Sequence, residues 1–207
     1  MAGTMAKADL VADLKDSLQD AAKVFVAAND ADFKRHLDAA ALDMVCKRPR
    51  TMMGTLTLVA EQFNYAAPAD FLSYKTDLWG IPASRIQPWE TNYPGRLPDV
   101  RSALNGAVRE LHFLPPPTEA QITVLGSAFK FYYFAAHTID ATAANTTILA
   151  GDRGLLLLRA QAEAMKEMAM RNIGKPVQMR DGMSSGPRNG TPSFLFETLM
   201  TQFEAAE

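Results

Sequence analysis

The sequence predicts an α+β protein: a helical bundle of two N-terminal helices, one long helix and one C-terminal helix, with a β-rich insertion. Three observations predict it. Apolar residues recur at three- and four-residue spacing near both ends of the chain. The stretch 151–172 is built almost wholly from Ala, Leu, Met, Glu, Gln, Lys and Arg, the strongest helix formers. Between these regions, β-branched and aromatic residues alternate in short runs broken by proline. The expected division is a helical domain from 1–50 and 141–207, and a β-rich insertion from 51–140.

In order, 9–26 reads as an amphipathic helix with Leu10, Leu14, Leu18, Ala21, Ala22 and Phe25 on its apolar face. Asn29-Asp30 breaks it. Asp32 is the expected cap of a second helix running to about Cys46, with Phe33, Leu37, Ala40, Ala41 and Met44 inward. Residues 55–59 alternate Thr with Leu and read as a strand; 71–76 read as another. The stretch 77–98, with Trp79, Trp89, Tyr93 and four prolines, is expected to be largely irregular. Residues 99–108 read as a short helix or a connection, and 109–114 as a strand stopped by three prolines. Residues 121–137 are the strongest strand candidate, with Phe129, Phe131, Tyr133 and Ala135 on one face and Lys130, Tyr132 and Phe134 on the other.

In the long helix, Asp152 is the expected cap, and Leu155, Leu158, Ala162, Met165 and Ala169 make one stripe, widened at its N-terminal end by Leu156 and Leu157. Arg159/Glu163 and Glu167/Arg171 stand four residues apart, the spacing of helical ion pairs. Gly174 and Pro176 are placed to end the helix. Residues 184–191 read as loop, and Thr191-Pro192 as the start of the last helix, with Phe194, Leu195, Leu199 and Phe203 on its apolar side.

At 207 residues and 48% hydrophobic, the chain can bury a real core. A net charge of −2 argues against a generally basic nucleic-acid binder. No segment approaches the roughly 20 apolar residues that cross a bilayer, and the N-terminus does not read as a secretory signal. Cys46 stands alone, so no intrachain disulfide is expected.

The search for chemistry returns little. Gly182-Met183-Ser184-Ser185-Gly186 matches the serine-hydrolase elbow, but Pro187 to Gly190 delay the following helix and no histidine follows His137. His36, His112 and His137 lack zinc-ligand spacing, and no phosphate-binding glycine loop is present. No catalytic, cofactor-binding or metal-binding residue is therefore expected. Lys47, Arg48 and Arg50 read as helix-end charge rather than a DNA contact. The run 129–134 has Lys130 as its one interleaved cation, so core or subunit interface is the expected role rather than a platform for stacked bases.

Three stretches resemble the head-to-tail connector (adaptor) proteins of tailed bacteriophages. One is the region 21–71, ending in Tyr65-Ala66-Ala67-Pro68-Ala69-Asp70-Phe71, which looks like a Tyr-x-x-Pro-x-Asp-Phe element common in that family. Another is Leu111-His112-Phe113-Leu114-Pro115-Pro116-Pro117-Thr118 with the aromatic strand after it. The third, and most specific, runs from Arg159-Ala160-Gln161-Ala162-Glu163-Ala164 to Gly190-Thr191-Pro192. The resemblance implies a non-enzymatic virion protein of the neck, made in the host bacterial cytoplasm. It would form a ring of its own copies, commonly dodecameric, between the portal protein and the tail or stopper. Packaged DNA would pass through without sequence recognition, and no membrane is involved. Met179, Arg180, Arg188, Phe194, Phe196 and Phe203 would then face the portal. Trp79, Trp89, Tyr93, Phe129, Phe131 and Tyr133 would lie at the tail side or between subunits. The large β insertion departs from the smallest, all-helical adaptors. The competing expectations are another neck or tail protein such as a tail terminator, a hydrolase using Ser184, and a small DNA-binding module using Lys47, Arg48 and Arg50.

Overall fold

A computed structural model describes residues 4–80, 86–173 and 191–206. The protein is mixed α+β, and the described residues form five α-helices and two small antiparallel sheets. The chain divides into two compact units, one from Met1–Arg48 with His137–Glu207 and one from Pro49–Ala136.

In the first unit, α1 (Lys7–Leu18) buries Leu10, Val11, Leu14 and Leu18 on one face. It ends eight residues short of the expected Val26, because Gln19 takes φ 50° and the chain tightens into a 3₁₀ turn, Gln19–Val24. Asn29 and Asp30 both have positive φ, which short polar side chains tolerate. α2 (Ala31–Lys47) follows. Its expected cap, Asp32, lies inside the helix and is buried, paired with Arg35 at 2.9 Å and Arg171 at 3.4 Å.

The long helix is α4 (Arg153–Arg171). Asp152 stands at its N-cap position as expected, but its carboxylate makes no capping bond and instead accepts from Arg48 Nε at 2.9 Å. The most buried positions are Leu156, Arg159, Ala160, Ala162, Ala164 and Met165, a wider zone than the single expected stripe. The reason is that α4 packs against α1, α2 and α5, so more than one face is covered. α5 (Pro192–Ala205) starts as expected, with the Thr191 hydroxyl accepting from Phe194 N at 3.4 Å and proline in the first turn. Its inward residues are Phe196, Leu199, Met200 and Phe203, while Leu195 is exposed.

In the second unit, β1 (Arg50–Thr57), β3 (Phe71–Asp77) and β6 (Ala128–Ala135) form one sheet in the order β1-β6-β3. β2 (Asn64–Ala66), β4 (Asp99–Asn105) and β5 (Val108–Leu114) form the other, in the order β2-β5-β4. Their inner faces share one aromatic core, in which Phe113 of β5 meets Phe129 of β6 edge to face at 4.9 Å. Phe131 lies directly over Gly54, where an added Cβ would stand 2.6 Å from its Cζ.

Two expectations are corrected here. Residues 99–105 are a strand, not a helix or connection, and a two-residue turn containing Gly106 at φ 62° joins β4 to β5. The expected strand at 121–137 is shortened. Its first part is helix α3 (Glu119–Leu125), started by a reciprocal cap in which the Thr118 hydroxyl accepts from Gln121 N and the Gln121 side chain accepts from Thr118 N. Between 78 and 98, the described residues contain neither helix nor strand.

Candidate functional site

The densest polar cluster joins α2 to α4. Glu167 accepts from Arg35 at 2.6 Å, His36 Nε2 at 2.8 Å and Arg171 at 2.5 Å. Asp32 completes the cluster through the same two arginines. Burial pushes the Glu167 carboxyl up, but the hydrogen bonds from His36, Arg35 and Arg171 outweigh it and hold it at about 2. Glu167 also keeps the Arg35 guanidinium raised. His36 is buried against Phe25 and Phe33, and its Nδ1 has no hydrogen-bond partner among the described residues. A carboxylate held ionised by three donors cannot supply a proton near neutrality, and a histidine closed off by two phenyl rings cannot reach a substrate. The cluster therefore acts as a clamp between two helices. A second clamp centres on buried Arg159, which pairs with Asp43 and Glu163 and lies 6.0 Å from the Phe203 ring.

The Tyr-x-x-Pro-x-Asp-Phe string has a structural role in the β unit. The Tyr65 hydroxyl accepts from Val59 N at 2.8 Å and donates to Val59 O at 3.1 Å, closing the turn after β1. Asp70 accepts from the Tyr133 hydroxyl at 2.9 Å and pairs with Arg50 at 3.1 Å. Phe71 stacks on Tyr133 with centroids 5.6 Å apart. Burial first, and then the bond to Asp70, pushes the Tyr133 hydroxyl up, and Tyr74 is raised in the same way beside Asp77.

The residues expected to meet other proteins are distributed unevenly. Trp79, Phe129, Phe131 and Tyr133 are buried in the β unit's own core, and Trp79 Nε1 donates to Gly126 O at 2.8 Å. Within the single chain these four side chains already have partners. Trp89 and Tyr93 are exposed. Phe203 is buried against the helical core, Phe196 is half-buried against it, and Phe194 is half-buried. Met179, Arg180, Arg188 and Ser184 lie outside the described residues, as does the expected helix stop at Gly174 and Pro176.

The basic triplet at the end of α2 is engaged. Lys47 donates to the Glu204 carbonyl, Arg48 pairs with Asp152, and Arg50 pairs with Asp70. His112 lies 3.2 Å from Glu110, and His137 Nε2 lies 2.7 Å from Arg48 O. Among the described residues no group of His, Cys, Asp and Glu is placed to hold a metal ion, and no helix is long and apolar enough to cross a membrane.

One apolar cavity of about 300 Å³ opens in the helical unit between α1, α4 and α5, lined by Leu18, Ala21, Met165, Met168, Leu195 and Leu199. Ser17 in its lining donates to Leu14 O at 2.7 Å, and no histidine is among the described lining residues. The cavity offers apolar contact without a reactive group. No protein-family model matches the chain, and no curated protein does.

Proposed function

We propose that the chain is a structural subunit of a tailed-phage head-to-tail connector. In this reading it is a helical bundle with a β-rich insertion that forms a ring between the portal and the tail or stopper. The ring would extend the DNA channel in the virion neck. The observation that carries the reading is the helical unit's surface: Val26, Leu149, Met170 and Ile173 are 62 to 83% exposed, outside that unit's buried core. Exposed aliphatic side chains of this size suit a subunit that buries them against its neighbours in a closed ring. The sequence resemblance supplies the kind of ring. The clamps at Glu167 and Arg159 also suit a rigid part better than a catalyst.

The test is the mass of the purified chain by light scattering, alone and mixed with portal rings. A ring, or a monomer that binds portal stoichiometrically, supports the reading. A monomer indifferent to portal defeats it. Ile173→Asp with Met170→Asp is expected to abolish ring formation while leaving the helical signal of the subunit unchanged.

A further inference from the structure

The strand β6 alternates strictly. Phe129, Phe131 and Tyr133 point into the core, so Lys130, Tyr132 and Phe134 share the outward face of the β1-β6-β3 sheet. The strand register brings others to that face. Thr51, Met53 and Thr55 of β1 stand opposite Phe134, Tyr132 and Lys130. Ser73 and Thr76 of β3 stand opposite Phe134 and Tyr132. Lys75 sits at an irregularity in β3 and reaches across, its Nζ 5.1 Å from the Phe134 centroid and 3.5 Å from Thr51 Oγ1.

The charge on this face is one-sided. Residues 49–136 contain seven Lys and Arg and seven Asp and Glu, yet the outward face carries two lysines and no carboxylate. Lys75 and Lys130 are exposed, and neither has a carboxylate partner among the described residues. Two half-buried rings, two exposed cations and a row of hydroxyls thus lie together on one sheet face.

We propose that this face binds single-stranded nucleic acid, with bases stacked on Tyr132 and Phe134 and phosphates held by Lys75 and Lys130. Rings two positions apart on one strand are separated by about 7 Å, enough for adjacent unstacked bases to lie one on each. A base on Phe134 displaces the Lys75 ammonium toward the phosphates, which its flexible stem allows. The hydroxyls of Thr51, Thr55 and Ser73 can donate to phosphate or sugar oxygens. An acidic peptide would use the lysines but leave the rings idle, and duplex DNA would keep its bases inside the stack. The inference stands apart from the connector reading: it rests on the β unit's surface, and either can fail alone.

Labelled oligothymidylate is titrated with the full chain and binding is followed by anisotropy. Tyr132→Ala and Phe134→Ala are each expected to weaken binding about tenfold or more, while Tyr132→Phe stays within about twofold. Lys75→Gln with Lys130→Gln is expected to reduce the slope of log affinity against log salt by about 1.4. Affinity unchanged by the ring variants overturns the proposal. So does equal competition by polyglutamate, which would mark an acidic-peptide face, or equally tight binding of duplex. A measurement on the unaltered chain guards against misfolded variants: photocrosslinking to iododeoxyuridine-substituted oligonucleotide is expected to modify Tyr132 or Phe134. Adducts elsewhere, or none, count against the inference.

Discussion

The helical unit holds its elements together with charge and the β unit does so with rings. In the first, aliphatic packing is crossed by Glu167 with Arg35, His36 and Arg171, and by Arg159 with Asp43 and Glu163. In the second, Phe113, Phe129, Phe131 and Tyr133 form a continuous aromatic contact chain, and the polar bonds within it come from tyrosine and tryptophan. A charge clamp depends on pH and leaves a costly orphan when one partner is removed. A ring cluster depends on volume and shape. The two units should therefore fail under different insults.

The largest effect is expected from Phe131→Ala. The ring is fully buried and contacts Phe129, Tyr133 and Tyr74. Its loss should cost about 3–5 kcal/mol. Amide exchange should show the loss in β1, β3 and β6, with α4 protection unchanged. Equal loss in α4 would break the contrast, since it would mean that one cooperative core serves both units.

Next comes Glu167→Gln, expected to cost about 2 kcal/mol because Arg35 and Arg171 then keep Asp32 as their remaining carboxylate partner. The same residue sets a pH dependence. Its folded value of about 2 lies below the ordinary 4.5, so its contribution is present above pH 4.5 and is lost as pH falls from there toward 2. Glu163, also lowered, acts in the same direction; burial pushes its carboxyl up, but the Arg159 hydrogen bond outweighs that. Tyr74 and Tyr133 are raised from 10.0, so the β unit keeps their contribution below pH 10 and loses it as pH rises beyond. Acid should thus release α2 from α4 first, and alkali should loosen the β sheets first. Site-resolved amide exchange across both limbs checks the order, and Glu167→Gln should flatten the acid limb.

Gly54→Ala sharpens the volume side of the comparison. The new Cβ would meet Phe131 Cζ at 2.6 Å in a core that gives the ring no room to retreat. A loss of about 1–3 kcal/mol is expected. Adding Phe131→Leu should cost less in this background than in the native one, because the two side chains compete for one space. Additive losses in a denaturation cycle would contradict that.

The sequence was most legible where one side of an element is buried. The 3.6-residue period located α1, α2 and α4, Thr191-Pro192 located α5, and alternation located β5; the expected strand at 55–59 catches only the last three residues of β1, and that at 71–76 matches β3. It failed where two local signals compete. Ile122 and Val124 alternate like a strand, but Thr118 and Gln121 hold the capping-box spacing, and the cap decides. Gly106 likewise opens the two-residue turn Gly106-Ala107 between the paired residues Asn105 and Val108, a hairpin that the reading of 99–108 as helix or connection missed. The site was less legible. Which side of β6 faces inward depends on the other sheet, so Phe129, Phe131 and Tyr133 look available in one dimension and are not in three. Lys75 meets Phe134 only because β3 breaks register between Tyr74 and Thr76, and no spacing in the chain announces that. The ion-pair spacings in α4 were readable, but the cross-helix partners Asp32, Arg35 and His36 were not.

The smallest effect tests the cap that misled the strand assignment. The Thr118 hydroxyl accepts from Gln121 N at 3.2 Å, while Gln121 Oε1 accepts from Thr118 N at 3.0 Å. Gln121 Nε2 also donates to Pro94 O at 3.1 Å and Arg96 O at 2.8 Å, so the cap ties the helix start to residues 94–96. Thr118→Ala removes one arm of the box and should cost about 1 kcal/mol, and Thr118→Ser should restore most of it. Exchange at the Gln121 amide should quicken in the alanine variant. If it does not, buried Gln121 alone holds the turn through its three remaining bonds. The preference of 119–125 for helix would then come from the carbonyls of Pro94 and Arg96 rather than from the local signature, which would make α3 a product of tertiary contact instead of sequence.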